Sequence, residues 1–293
     1  MSLMTYKTLT ALGLLAFGLG VSFMGCSSDD SSTPTPTPDG GGGSDTGTGG
    51  SGVTQSGQVV DFAPGGGGAG VDGVTVDLGS GRTTATGGNP RGSYTIKVPQ
   101  DTPFNMRVSK AGYTTLLEQE WQLSGDADRA QTPLPNAQLT GALVSAIQGN
   151  AANPPIEASK GVLAVGVLKG TCASEAGATI QIDTGTTVDA GADAGSGGPK
   201  TVYFKGSLPS AETATQDGEG ALAALIYNVT PGDNIKLLVT PAATCNVEDP
   251  AFTDPVASNI KYTGKITVEA IGDLASTTAT HVTSFARVLF SAK

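Results

Sequence analysis

A chain of 293 residues with a net charge of −10, 26 acidic side chains against 16 basic, lacks the basic footprint that displaces counterions from nucleic acid. Only 14% of its residues are charged and 43 are glycine, so its surface is one of small polar groups rather than ion pairs. Abundant Thr, Val and Gly, 5% aromatics and no long helical periodicity favour strands joined by turns.

The N-terminal 25 residues carry Lys7, an almost wholly apolar run from Leu9 to Met24, and then Gly25-Cys26 followed abruptly by Ser27-Ser28-Asp29-Asp30. A basic start, an apolar stretch and a small residue at the cut are the marks of an export signal. The run is shorter than the ~20 residues needed to span a bilayer, and Gly13, Gly18 and Gly20 interrupt it. This layout resembles a bacterial lipoprotein signal. The resemblance implies that Cys26 is lipidated and becomes the mature N-terminus, anchoring the chain to a membrane through more than one acyl chain. With Ser27 after the Cys, it implies the outer membrane, on its periplasmic or cell-surface face. An ordinary signal peptide cut elsewhere and an uncleaved membrane helix are the alternatives.

Residues 26–53 read as a disordered tether. The Thr-Pro alternation from Thr33 to Pro38 is extended and semi-rigid, the glycine runs from Gly40 are flexible, and neither can bury a core. A first β-sandwich is expected over 54–136. Its strands are Gln58–Phe62, Gly73–Leu78, Thr83–Thr86, Gly92–Val98, Phe104–Val108 and Thr114–Leu123, with Gly or Pro between them at intervals of about ten residues. The order "GQVVD", "GVTVDL", "TTAT", "GSYTIKVP", "AGYTT" resembles the carboxypeptidase regulatory-like family, with Arg91-Gly92 in place of that family's Asp-Gly. The resemblance implies a transthyretin-like sandwich that accompanies enzymes and receptors without doing chemistry itself.

A short helix over Leu139–Ile147 and a linker are expected at 137–159, ended by Asn153-Pro154-Pro155. Residues 160–293 read as a second transthyretin-like or Ig-like sandwich that repeats the first. Gly177–Ile182 echoes Gly73–Leu78, and Thr213-Ala-Thr215 echoes Thr84–Thr86. Gly220 through Pro231 echoes Gly92 through Pro99, and Ile235–Val239 echoes Phe104–Val108. Strands over Asn259–Ala270 and Thr280–Phe290 complete it, and an Ala/Gly/Asp-rich disordered insert occupies 186–200. The fold class is therefore all-β, two tandem sandwiches behind a signal and a tether.

With Cys26 given to lipid, Cys172 and Cys245 remain as one pair in an exported protein, where a disulfide is expected and two buried thiols are the alternative. Two isolated cysteines and one distant histidine do not give metal-ligand spacing. Asp183-Thr184-Gly185 follows an apolar strand as a catalytic aspartate turn does. Its only counterpart, Asp45 to Gly47, lies in the tether, so a strand end is expected. Asp189 and Asp193 suggest a calcium loop, but Lys200 stands where the closing Glu belongs. Asp126/Asp128 and Glu248/Asp249/Asp254 are weaker acidic clusters of the same kind. Gly65, Gly67 and Gly70 satisfy a dinucleotide-loop string with no helix after it. His281 is the only histidine, and no Gly-x-Ser-x-Gly elbow supplies a nucleophile. Trp121 and Tyr113 are the candidate ligand-stacking residues, against core packing as the plainer reading. Asn228-Val229-Thr230 matches a glycosylation acceptor.

No catalytic set, metal or cofactor is expected. The expectation is a non-enzymatic envelope lipoprotein whose sandwiches bind a protein or glycan. The alternatives are a carbohydrate-binding accessory module, a structural spacer, or a hydrolase with paired carboxylates.

Overall fold

A computed structural model describes residues 52–62, 68–80, 82–135, 137–150, 153–183, 198–205, 208–218, 222–255, 257–272 and 281–293, all within one unit spanning Gly43–Lys293. The signal, Cys26, most of the tether and most of the 186–200 insert lie outside these residues. The first half contributes β1 (Gly52–Asp61), β2 (Thr75–Asp77), β3 (Thr83–Ala85), β4 (Ser93–Pro99), β5 (Arg107–Ser109), β6 (Thr115–Glu118), β7 (Trp121–Leu123) and β8 (Ala127–Leu134). After α1 (Ala137–Gln148) come β9 (Gly161–Leu168), β10 (Thr179–Ile182), β11 (Lys200–Lys205), β12 (Leu208–Pro209), β13 (Ala224–Val229) and β14 (Gly232–Ile235). The chain then forms β15 (Leu237–Thr240), β16 (Cys245–Val247), β17 (Ile260–Tyr262), β18 (Ile266–Val268) and β19 (Val282–Ala292). β1 begins inside the stretch read as tether, with Gly52 opposite Pro99. The strand expected over Thr114–Leu123 is split into β6 and β7, because the N–H of Gln119 turns to Phe285 O and that of Glu120 to Lys265 O.

Each half is a sandwich, and the two are built alike. In the first, β1 lies between antiparallel β4 and parallel β8. These strands cover β3-β2-β5-β6, with Val59, Tyr94, Ile96 and Leu134 meeting Val76, Val108 and Leu116 in one core. β4 shows why: Tyr94, Ile96 and Val98 are buried while Thr95, Lys97 and Pro99 are exposed, the period-2 pattern of a half-buried strand. In the second half β9 lies between antiparallel β13 and parallel β19, over the pair β10-β15. The registers correspond: Val76 faces Val108 across β2 and β5, and Ile180 faces Val239 across β10 and β15.

The repeat extends to hydrogen bonds. Thr86 Oγ1 accepts from Val74 N–H at 3.0 Å and donates to Val71 O at 2.6 Å. Thr215 Oγ1 accepts from Ala178 N–H at 3.0 Å and donates to Glu175 O. Both hydroxyls are buried, and each satisfies a backbone group that would otherwise be stranded from water. Gly92 N–H donates to Asp72 Oδ1 at 2.7 Å, and Gly218 N–H donates to Glu175 Oε1 at 2.8 Å. Gly218, not the Gly220 of the sequence match, therefore takes the part of Gly92. Both glycines have positive φ, +78° and +82°, and a Cβ on Gly92 would collide with Val59 O.

The halves are not separate bodies. β19 pairs in parallel with β9 on one side and with β6 of the first sandwich on the other, so one ten-stranded sheet runs through both. Its faces divide the work: Ala286, Val288 and Phe290 enter the second core, while Phe285 and Leu289 pack against the first. β9 is buried along nearly its whole length, the mark of a strand covered on both faces. The covering element on its outer side is α1, whose Ile147 joins Val162, Val202 and Tyr227 in a third, smaller cluster.

The stretch Asn259–Ala270, read as belonging to the second sandwich, straddles both. β17 pairs with β7 and buries Ile260 and Tyr262 in the first core, whereas Ile266 and Val268 of β18 lie in the second. The alternation of these residues fits either core, and only the chain path decides.

Candidate functional site

The most charged region of the described interior sits in the first sandwich, beside its junction with β19. Glu118 of β6 and Arg129 of β8 form an ion pair whose side chains are each only 4% exposed. Arg129 follows the register shift between Ser56 and Gln58, where β1 and β8 slip against each other. Its guanidinium lies 5.2 Å from the centre of the Trp121 ring, and Phe104 tilts against that ring at 4.5 Å. Burial by itself depresses the Arg129 pKa, but the Glu118 carboxylate overrides it, with Tyr262 and Tyr94 in support. The net shift is upward and the group stays a cation.

Gln55 Nε2 donates to the Tyr94 hydroxyl at 2.8 Å. Burial pushes that phenol up to about 12. A raised pKa in the folded state adds stability that is complete below the ordinary tyrosine value near 10 and is lost as pH rises toward 12. Stability from urea unfolding is therefore expected to fall between pH 9 and pH 11.5, by about 2 kcal/mol at the upper limit, from Tyr94. Tyr94→Phe should remove Tyr94's share of that fall while Tyr227, which burial also pushes up to about 12, keeps its own, and an equally steep fall in the variant would refute the assignment.

Above the pair opens a groove of about 750 Å³, lined among others by Gln58, Tyr94, Asp128, Arg129, Asp254 and Arg287. Arg287 Nη1 stands 3.6 Å from Asp254 Oδ2, which also accepts from the Tyr262 hydroxyl at 3.3 Å. The Arg287 N–H donates to Gln119 Oε1 at 2.8 Å, fixing β19 against the β6–β7 turn. Guanidinium groups beside carboxylates suit hydrogen bonding to a polar ligand. Among the described residues that line this groove there is no histidine or cysteine.

The sequence candidates fall elsewhere. Trp121 has 0% exposure, so neither ring face is open to stack on a ligand, and the stacking expectation is corrected to core packing. Tyr113 is half-buried at the edge of the first core, with Lys110 Nζ 5.8 Å from its ring centre. The two residues do not form one site. Cys172 and Cys245 are disulfide-bonded, with Cα atoms 5.7 Å apart. Asp183 closes β10, its N–H donating to Lys236 O at 2.9 Å, while Thr184, Gly185, Asp189 and Asp193 lie outside the described residues. Lys200 starts β11. Asp126 Oδ1 accepts from Thr54 N–H, and Asp249 Oδ1 from Ala251 N–H. Among the described residues no group of three or more His, Cys, Asp or Glu is placed to hold a metal ion.

Gly70 forms a bridge to Val60 and leads into β2, while Gly65 and Gly67 are outside the description. His281 is buried ahead of β19, where its carbonyl accepts from Thr115 N–H at 2.6 Å. Asn228 is buried and spent within the fold. Its Oδ1 accepts from Glu157 N–H and its Nδ2 donates to Pro155 O, both at 2.9 Å, which excludes it as a glycan acceptor in the folded protein. Sequence reading missed Glu118, Arg129 and Arg287, which are single charges in strands whose partners lie on other elements.

No family model and no curated protein matches the chain. The likeness of residues 54–136 to the carboxypeptidase regulatory-like family stays a resemblance. Among solved structures, the Bacillus anthracis TIE protein is similar over 82% of this chain at 10% identity with a TM-score of 0.21, and the chain spans only 34% of that protein's length. GBS52, the minor pilin of Streptococcus agalactiae, is similar over 82% of this chain and 96% of its own, at 10% identity and a TM-score of 0.20. At such TM-scores these likenesses add nothing to the fold argument, which rests on the strand pairing above. Among the described residues no helix is long and apolar enough to cross a membrane.

Proposed function

We propose that this chain is an exported, non-enzymatic binding module, held at the outer membrane by lipid on Cys26, that presents its two fused sandwiches to a protein or glycan of the envelope. The observation that carries the reading is the sheet shared through β19, which makes two modules one presenting body with a groove at their junction. The Cys172–Cys245 bond supports export, since such bonds persist in oxidising compartments. Between the two ligand classes the groove favours neither. The burial of Trp121 removes the stacking platform on which a glycan-specific reading relied.

The test is expression of the full chain in a Gram-negative host, with the mass of the mature N-terminal peptide compared between wild type and Cys26→Ala. A triacylated Cys26, lost in the variant together with membrane fractionation, is the expected result. An unmodified N-terminus cut elsewhere would overturn the anchor. Capture of an envelope component by wild type but not by Arg287→Ala would locate binding at the junction groove.

A further inference from the structure

Among the described residues, the pair β10-β15 of the second sandwich stands where the first has the four strands β3-β2-β5-β6. β5 has β2 on one side and β6 on the other, whereas its counterpart β15 has β10 and, among the described residues, no second neighbour. The gap shows in burial: Val108 is fully buried, but Val239, which takes its place in register, is only half-buried, and so is Leu237. Leu238 is 55% exposed. The segment that follows β15, as β6 follows β5, is β16. It is drawn away to pair with the end of β19, Cys245 opposite Ala292, and the bond to Cys172 ties it near the end of β9.

Two other edges of this half, those of β10 and β12, are blunted. Along β10 the Ile180 N–H donates to the Tyr203 hydroxyl at 2.8 Å and Thr201 Oγ1 donates to Ile180 O at 2.9 Å. β12 carries Pro209, which withholds a donor, beside its exposed Leu208. β15 has no such cap among the described residues.

We propose that the open edge of β15 is a docking site for an extended strand of a partner protein, running antiparallel to β15 with consecutive apolar residues opposite Val239 and Leu238. The chemistry of that strand is read from the first sandwich, where β6 sets Leu116 opposite Val108 and Leu117 opposite Arg107, and both leucines are buried. Main-chain pairing supplies the attachment and the apolar pair supplies the choice of partner. A second copy is the poorer occupant, since two bodies of net charge −10 repel. This inference rests on the binding-module reading and names the surface and partner chemistry for it.

The experiment uses the full oxidised chain and a capped peptide of its own residues Lys110–Leu117 as the probe strand, with amide hydrogen exchange of Leu237–Thr240 followed by NMR. A free strand pairs weakly with an edge, so peptide is taken to about 10 mM. Exchange at Leu237 and Val239, whose N–H groups face the open edge, is expected to slow at least about tenfold, whereas Leu238 and Thr240 already donate across to β10 and should not change. A control peptide with both leucines replaced by serine should lose the effect, as should Leu238→Asp, a surface change that sets a carboxylate opposite the second leucine. Unchanged exchange at the highest concentration, or equal protection by the serine peptide, overturns the proposal. Peptide-free dimerisation abolished by Leu238→Asp overturns it in favour of a second copy. Capture of an envelope component equally by wild type and Leu238→Asp would defeat this edge while leaving the broader binding function standing.

Discussion

Replacing Arg129 with Met while Glu118 stays in place is expected to destabilise the protein by about 3–5 kcal/mol, because a carboxylate is left buried without its partner. Both side chains are 4% exposed, and Trp121, Tyr94 and Tyr262 surround the pair with rings rather than water. The mutual attraction of such a pair roughly offsets the desolvation of both ions, so its removal as a whole is far milder than its breakage. Arg129→Met combined with Glu118→Leu should therefore recover most of the loss, as measured by urea unfolding midpoints at pH 7 with the slope of each transition compared. If the single change costs less than about 1 kcal/mol, the value of an exposed pair, the two charges are not sealed as described. If the double change is as damaging as the single, the pair is held for more than charge balance, and packing of the Arg129 stem on Trp121 becomes the dominant contribution.

The second large effect belongs to Cys172 and Cys245. Their bond closes a sequence separation of 73 residues. On the chain-entropy account a loop of that size contributes about 4 kcal/mol by restricting the unfolded chain. The double change to Ala is expected to lower stability by that order, with the sharpest local loss along β16, where the amides of Asn246 and Val247 should exchange faster. Comparing oxidised wild type with the double variant by chemical denaturation and by residue-resolved exchange separates the two parts. A global loss under about 1 kcal/mol would show that the unfolded chain is already compact across this loop. Unchanged exchange at β16 would show that pairing with β19 holds that strand without help.

Much of this architecture is legible before any coordinates. The matched segments at Gly73 and Gly177, at Thr86 and Thr215, and at Val108 and Val239 occupy equivalent registers because the same local demands recur: a turn, a clasping hydroxyl, a half-buried strand. Between Gly92 and Gly218 the acidic partner moves by one position and lengthens from Asp72 to Glu175, a substitution that conserves the hydrogen bond and not the string. β8 is hard to read because its polar Asp128 and Arg129 mask a strand whose Arg129, Thr132 and Leu134 turn inward. β19 did carry a readable sign: from Phe285 to Phe290 apolar residues fall on both sides of the alternation, the signature of a strand buried on two faces. The Glu118–Arg129 pair had no such sign, since each charge is ordinary within its own strand and only the tertiary path brings them together.

That path also sets the order of events in assembly. β6 stays an open edge until β19 has been made, and β19 follows every other described strand. The first sandwich therefore cannot finish folding by itself; it waits on the second. Long-range parallel pairing of this kind is slow and leaves a sticky intermediate. A chain released early would be expected to expose that edge, so the time between synthesis of β6 and closure of β19 is when this protein is most in need of a chaperone.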